Sequence, residues 1–177
     1  KELVRDSFDK AVKRQLVSDK PLGVFLSGGL DSTAILGSMS KIVDHQIKTF
    51  TVKFDIDIES KKFNEDSQLA AQTAKYYKTD HHELLVTAKD VVDNLEKVVY
   101  HMDDLVSNHV QTATYLLSKM AKEQVDVVLG GDGADEIFAG YQRYYYYNLI
   151  DKFQKIPRAL RKNFLTKYLA DLTKQNS

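Results

Sequence analysis

Hydrophobic and polar positions along the chain switch between two periods. Val4, Phe8, Ala11/Val12 and Leu16 recur with helical spacing among Lys and Arg, which predicts an amphipathic helix over 2–19, ended by Lys20-Pro21. Gly23–Leu26 is a short apolar run and predicts a buried strand; Ala34, Ile35 and Met39 then predict a helix reaching about Val43. Ile47–Phe54, β-branched and aromatic, predicts a second strand, and the aperiodic Asp55–Lys62 a surface loop. Asn64 is placed to cap a helix in which Leu69, Ala70, Thr73, Ala74 and Tyr77 share a face. His82–Val86 predicts a third strand, and Thr87 caps a helix with a Val91, Leu95, Val98 and Met102 stripe. Asp103–Gln111 is polar and aperiodic, hence a loop; Thr112–Lys122 predicts a helix with Ala113, Leu116, Leu117, Met120 and Ala121 inward. Val125–Leu129 is apolar throughout, as expected of a central parallel strand. Tyr144–Tyr147 are expected to continue a helix that packs on one side. After Ile156-Pro157 comes a helix with Leu160, Phe164, Tyr168 and Leu172 together.

Four alternations of strand and helix predict an α/β fold, a three-layer α/β/α arrangement around a parallel twisted sheet. In such sheets ligands bind beyond the C-terminal strand ends, where the strand order reverses. Two glycine-rich turns, Ser27-Gly28-Gly29-Leu30-Asp31-Ser32 and Gly130-Gly131-Asp132-Gly133-Ala134-Asp135-Glu136, follow the first and fourth strands. Those strands are therefore expected to be neighbours, their loops facing across a crevice.

Composition narrows the chemistry. A chain of 177 residues with 43% hydrophobic and 28% charged positions fits one domain with a sizeable core. No apolar run approaches membrane-spanning length, so no membrane partner is expected. There is no cysteine, which excludes disulfides, thiolate metal sites and a cysteine nucleophile within this chain and is compatible with the cytoplasm. Net charge is zero, yet residues 142–177 hold eight Lys/Arg against two Asp/Glu. With no aromatic-interleaved basic patch beside it, this tail is expected to be a basic helical extension with a solvated face, and nucleic acid is not an expected partner. The expected organisation is a nucleotide-binding core over 1–141 and the extension over 142–177.

The glycine turns carry the chemistry. A strand delivering glycines onto a helix N-terminus lets backbone N–H groups approach an anion, and the helix dipole adds positive charge. Ser27 and Ser32 supply hydroxyls. Asp31 repels a phosphate unless a cation lies between, which suggests Mg²⁺. The chain has no Gly-Lys pair and no Gly-x-Gly-x-x-Gly, so neither a Walker loop nor a dinucleotide fingerprint is present. Asp132, Asp135 and Glu136 bring three carboxylates to one helix start, more than a cap needs. The spacing of His81, His82 and Glu83 is not that of a zinc motif, and strand-end packing is expected there.

SGGLDS resembles the PP-loop of the N-type ATP pyrophosphatases, which cleave ATP between the α- and β-phosphates and grip the departing pyrophosphate. Val127–Tyr141 resembles the Ser-Gly-x-Gly-x-Asp-Glu-x-Phe-x-Gly-Tyr signature of the asparagine synthetase family. Thr79–Glu83, Phe50–Phe54 and Tyr115–Ser118 resemble further family segments in the family's order. The resemblance implies the adenine nucleotide alpha hydrolase-like fold and amide synthesis from ATP. A substrate carboxylate, most simply the aspartate β-carboxylate, attacks the α-phosphate, and ammonia then displaces AMP. Carried over by position, Leu26 and Val52 line the nucleotide. Ser27, Gly28, Gly29, Asp31 and Ser32 hold pyrophosphate, and Gly130 and Gly131 contact the nucleotide. Asp31 and Asp135 bind Mg²⁺, and Asp132 assists the acyl-adenylate step. Implied partners are ATP, an amino-acid substrate, ammonia from a glutaminase domain that this chain does not contain, and a second copy of the full-length protein.

Four departures qualify the resemblance. The family's glutaminase domain and its cysteine are missing, and the family's synthetase domain runs longer, so the chain is expected to be a fragment. Gly130 replaces the usual serine of the second motif. Where relatives hold their amino-acid substrate with Asp-Glu-Pro, Asp-Pro-Ser and a later proline, this chain has Asp103-Asp104-Leu105, Asn108-His109-Val110 and Ala113. Another acceptor carboxylate, a tRNA-modifying PP-loop enzyme and a non-catalytic nucleotide-binding module are the alternatives.

Overall fold

The computed structural model describes residues 1–55, 64–104, 108, 110–158 and 161. The chain divides into two compact units, Lys1–Gly131 and a second beginning at Asp132. The first holds a four-stranded, wholly parallel sheet: β1 (Leu22–Phe25), β2 (Lys48–Phe54), β3 (Asp80–Val86) and β4 (Val127–Leu129), in the order β3-β2-β1-β4. In β1, Gly23, Val24 and Phe25 pair with Lys48, Thr49 and Phe50 on one side. Leu22, Gly23 and Val24 pair with Val127, Val128 and Leu129 on the other. The chain thus steps outward from β1 to β3 and returns across β1 to β4. The order reverses between β1 and β4, as the two glycine turns predict.

Helices cover both faces. Packed on one are α1 (Glu2–Gln15), α2 (Leu30–Met39) and α3 (Glu65–Tyr77); α4 (Ala88–His101) and α5 (Gln111–Lys122) lie on the other. Alternation along the strands sends Val24 and Leu26 to the first core, with Val12, Leu36, Met39, Ile47, Ala70 and Ala74. Phe50 goes to the second, with Leu117, Ala121 and Val125. Each fully buried side chain of this size contributes about 1.5–3 kcal/mol.

Several elements differ from the expectations, for identifiable reasons. Helix α1 stops at Gln15, with Leu16 as its C-cap, and Val17 is exposed; the apolar stripe had already met its partners at Phe8, Val12 and Leu16. Val4 is exposed, as is Leu95 of the predicted α4 stripe, because only Val98 of that helix is buried. Strand β4 is apolar yet sits at the sheet's edge among the described residues. Val128 packs on the core beneath α5, Leu129 on the core of the other face, and Val127 is exposed. The Thr87 cap is as predicted, a reciprocal capping box with Asp90. Most of the predicted 55–62 loop, part of 103–111 and the tail stripe Leu160, Phe164, Tyr168 and Leu172 lie outside the described residues.

The second unit contributes α6 (Ala134–Phe138) and α7 (Gln142–Gln154). Tyr145, Tyr146 and Tyr147 are exposed and α7 buries none of its described residues, so the expected one-sided packing of the tyrosine run is not found there. Arg143 instead stacks its guanidinium on the Tyr141 ring, 4.2 Å from the centroid.

Candidate functional site

The first glycine turn leaves β1 at Phe25 and enters α2 at Leu30. Leu26 is buried; its N–H donates to Phe50 O at 2.9 Å and its carbonyl accepts from Thr51 Oγ1, so the chain is fixed where the turn begins. Gly28 has φ +75°, the left-handed region open to glycine at little cost. A Cβ there would overlap Asp66 O and lie 2.7 Å from Leu69 Cβ. The turn is therefore pressed against the first turns of α3, and only glycine fits.

Inside the turn the hydroxyls of Ser27 and Ser32 lie 3.1 Å apart. The Ser27 N–H donates to Ser32 Oγ at 3.2 Å, and the Gly29 N–H to Ser27 Oγ at 3.3 Å. Ser32 is buried, while Ser27 and Gly29 are exposed. Gly29 is the N-cap of α2 and no side chain caps that helix. The first N–H groups of an α-helix have no partner within it, so this end is open to an anion. Asp31 sits in the first turn of α2, half-buried, and its carboxylate has no hydrogen bond or ion pair to any described residue. A carboxylate at a helix start with no structural partner is free for a ligand.

The end of β4 closes on the same turn. A Cβ on Gly131 would lie 3.0 Å from Ser32 N and 3.1 Å from Asp31 Cβ, so a side chain there would fill the gap between the two loops. The first and fourth strands are neighbours, as expected, and their pairing brings Gly131 beside the first loop. Gly130, half-buried, precedes it. Val52 is half-buried at the C-terminal half of β2, on the same side of the strand as Phe50.

In the second unit, Asp132 is exposed, and Asp135 and Glu136 lie in the first turn of α6. Glu136 accepts from Tyr141 Oη at 2.7 Å, which holds its carboxyl below the usual range. It is therefore engaged within its own segment. Among the described residues no three His, Asp or Glu side chains are placed to hold a metal ion by themselves. Mg²⁺ commonly takes one or two carboxylates and completes its shell with phosphate oxygens and water. The all-oxygen set around Asp31, Ser27 and Ser32, beside a glycine gap and an open helix end, fits a magnesium–phosphate group.

The opposite, N-terminal end of the sheet carries the histidines. His81 shares a hydrogen bond with Thr49 Oγ1 at 2.9 Å, and His82 stacks on Phe50. Lys48 bonds Asp80 at 2.5 Å and Gln124 at 2.8 Å, tying β2, β3 and the end of α5 together. These are packing and cross-strand roles, as expected. The hydrogen bond from Lys48 holds the Asp80 carboxyl below its ordinary value. Burial, opposed by Glu83, holds the His81 imidazole below 6.5. The unfolded chain then binds a proton at His81 more readily than the folded one, so folding stability is full above 6.5 and falls as pH drops below it. Melting curves between about pH 7.5 and pH 5 should show this decline, and His81→Asn should flatten it. An unchanged slope in that variant would assign the decline to other groups.

The neighbours of the first loop at Asp66, Leu69 and Ala70 carry no signal in the sequence beyond the glycine at position 28 itself.

Residues 3–176 match the family described as asparagine synthase. The chain is 35% identical over 162 residues to asparagine synthetase [glutamine-hydrolyzing] 1 of Bacillus subtilis, covering 92% of this chain and 25% of that protein. It is 35% identical over 152 residues to a putative asparagine synthetase [glutamine-hydrolyzing] 2 of Methanocaldococcus jannaschii, covering 85% and 28%. For the asparagine synthetase [glutamine-hydrolyzing] of Zea mays the figures are 35% over 167 residues, 90% and 28%. The chain thus spans about a quarter of the length of these relatives. Among solved structures, the NH3-dependent NAD synthetase of Campylobacter jejuni superposes with a TM-score of 0.52 at 13% identity, over 79% of this chain and 60% of that one. That likeness extends to the fold.

Proposed function

The chain belongs to the asparagine synthase family, and on that premise we propose that it is the nucleotide-handling part of an ATP-dependent, amide-forming ligase. The carrying observation is the turn Ser27–Ser32, open at the α2 N-terminus and closed against Gly131 where the strand order reverses. In this reading a substrate carboxylate oxygen attacks the α-phosphorus of ATP. The α–β bridging P–O bond breaks and pyrophosphate leaves. The ammonia nitrogen then attacks the acyl carbon, AMP departs with the carboxylate oxygen, and the nitrogen loses a proton. The names of the relatives support aspartate as the acceptor and asparagine as the product.

The protein's share is positioning and electrostatics. Backbone N–H groups of Gly28 and Gly29 and the hydroxyls of Ser27 and Ser32 receive the pyrophosphate oxygens. Leu26 and Val52 line the nucleoside, and Gly130 and Gly131 leave room for it. Asp31 and Asp135 are the proposed Mg²⁺ ligands, and Asp132 assists formation of the acyl-adenylate; the motif resemblance supports these three. When bound, Mg²⁺ supplies positive charge against that gathering on the leaving group. Ammonia is proposed to come from glutamine in the full-length protein, as the glutamine-hydrolysing relatives suggest. We place that protein in the cytoplasm, as a homodimer; among the described residues no helix is long and apolar enough to cross a membrane.

The test is the full-length protein with ATP, Mg²⁺, ¹⁵N-ammonium and aspartate. Equal amounts of AMP and ¹⁵N-asparagine are expected. Turnover only with a different carboxylate would replace aspartate as the acceptor. ATP binding without turnover for any acid would make the chain a binding module, and a requirement for tRNA would make it a modifying enzyme.

A further inference from the structure

We infer that Asn64 is a positioning residue for the pyrophosphate loop, acting through α3. This rests on the reading of Ser27–Ser32 as that loop. The loop has a wall behind it. At Gly28 the closest atoms of that wall are Asp66 O, Leu69 Cβ and Ala70 N, all from the first two turns of α3. Where those turns stand decides how far the loop projects from the end of β1. A shift of a few tenths of an ångström in α3 is transmitted to Gly28 because no gap separates them.

Asn64 sets that position. It is the N-cap residue of α3, with φ −103° and ψ 9°, yet its side chain makes no cap bond to the helix. The amide turns back to the sheet. The Phe54 N–H donates to Asn64 Oδ1 at 3.0 Å, and Asn64 Nδ2 donates to Phe54 O at 3.0 Å. Phe54 is the last residue of β2, in register with Val86 of β3. The side chain therefore continues the sheet's hydrogen bonding by one step and fastens the start of α3 to it. Asn64 is 9% exposed, and its carbonyl accepts from Ser67 Oγ at 2.9 Å and Gln68 N at 3.1 Å. Both ends of the residue are thus in use, one on the strand and one on the helix. A carboxamide offers an acceptor and a donor in one plane at this length. Aspartate keeps the acceptor and sets a second oxygen against Phe54 O; alanine keeps neither.

The proposal separates a positioning effect from a loss of stability. Inorganic pyrophosphate with Mg²⁺ is titrated into the full-length protein and Tm is measured for wild type, Asn64→Asp, Asn64→Ala, Thr87→Ala and Gly28→Ala. Thr87→Ala removes the capping box of α4, away from the loop, and serves as a destabilised comparison. Both Asn64 variants should raise the pyrophosphate Kd roughly tenfold, the scale of one displaced charge-assisted hydrogen bond. Thr87→Ala should lower Tm and leave that Kd at the wild-type value. For Asn64→Asp the ratio to wild type should shrink as pH falls toward about 5, where the buried carboxyl regains a proton and can donate to Phe54 O. Asn64 variants with lowered Tm and wild-type Kd, beside a weakened Gly28→Ala, would overturn the positioning role and leave the loop assignment standing. Wild-type pyrophosphate binding in Gly28→Ala as well would remove the loop assignment, and this inference with it.

Discussion

Alanine at Gly28 is expected to lower folding stability by about 2–5 kcal/mol and to weaken pyrophosphate binding on the order of a hundredfold. Two costs combine. A residue with a Cβ held at φ +75° loses about 1–2 kcal/mol. The new methyl also meets Asp66 O, Leu69 Cβ and Ala70 N, which are backbone or fixed helix atoms that cannot rotate away. Overpacking of that kind costs about 1–3 kcal/mol. Relief requires the turn to lift off α3, which moves the N–H groups of Gly28 and Gly29 out of line with a bound anion. Alanine at Gly29 is the contrast. Gly29 is extended at φ −71°, and its Cβ would lie 3.3 Å from Ser27 Oγ, a side chain that can turn. That variant should keep a Tm near wild type. Thermal melts and pyrophosphate titrations of the two variants check the pair; equal Tm values would mean that the wall behind Gly28 yields.

Removal of the Asp31 carboxylate is expected to separate function from stability in the other direction. Its carboxylate holds no described residue, so Asp31→Ala forfeits only its interaction with the start of α2, about 0.3–1 kcal/mol. ATP affinity should nonetheless fall by roughly two orders of magnitude in the presence of Mg²⁺, and the difference between affinities with and without Mg²⁺ should vanish. Without its cation the turn still offers hydroxyls and N–H groups, so weak Mg²⁺-independent binding remains. Calorimetric titrations of ATP with Mg²⁺ or EDTA measure both values. Unchanged Mg²⁺ dependence in this variant would place the cation elsewhere.

Much of this arrangement is legible in the sequence because it rests on period and punctuation. Apolar runs of strand length, ended by glycines, a cap residue or an aperiodic polar stretch, located β1 to β4 to within a few residues. Two glycine turns after the first and fourth strands implied that those strands are neighbours, since a shared ligand needs both loops at one crevice. Sequence could not say that β4 lies at the sheet's edge among the described residues, because Val125 and Val128 gain their burial in the core with Phe50, Leu117 and Ala121, and Leu129 against the core on the other face. The tyrosine run shows the same limit: a row of aromatic residues has high burial potential, and Tyr145–Tyr147 are exposed in their unit. Asn64 is the most instructive case. Its identity suits a helix cap, and its position is that of a cap, but its side chain bonds a strand ten residues back. Capping and strand-end pairing compete for the same side-chain oxygen, and only the fold decides between them.

The central claim is that this turn grips the pyrophosphate released when a carboxylate attacks ATP. Incorporation of labelled pyrophosphate into ATP tests it most directly, with the full-length protein, Mg²⁺ and aspartate in the absence of ammonia. Label is predicted to enter ATP only when the carboxylate is present, and not in Asp31→Ala. No exchange with aspartate or any other carboxylate, with ADP and orthophosphate accumulating instead, would contradict it.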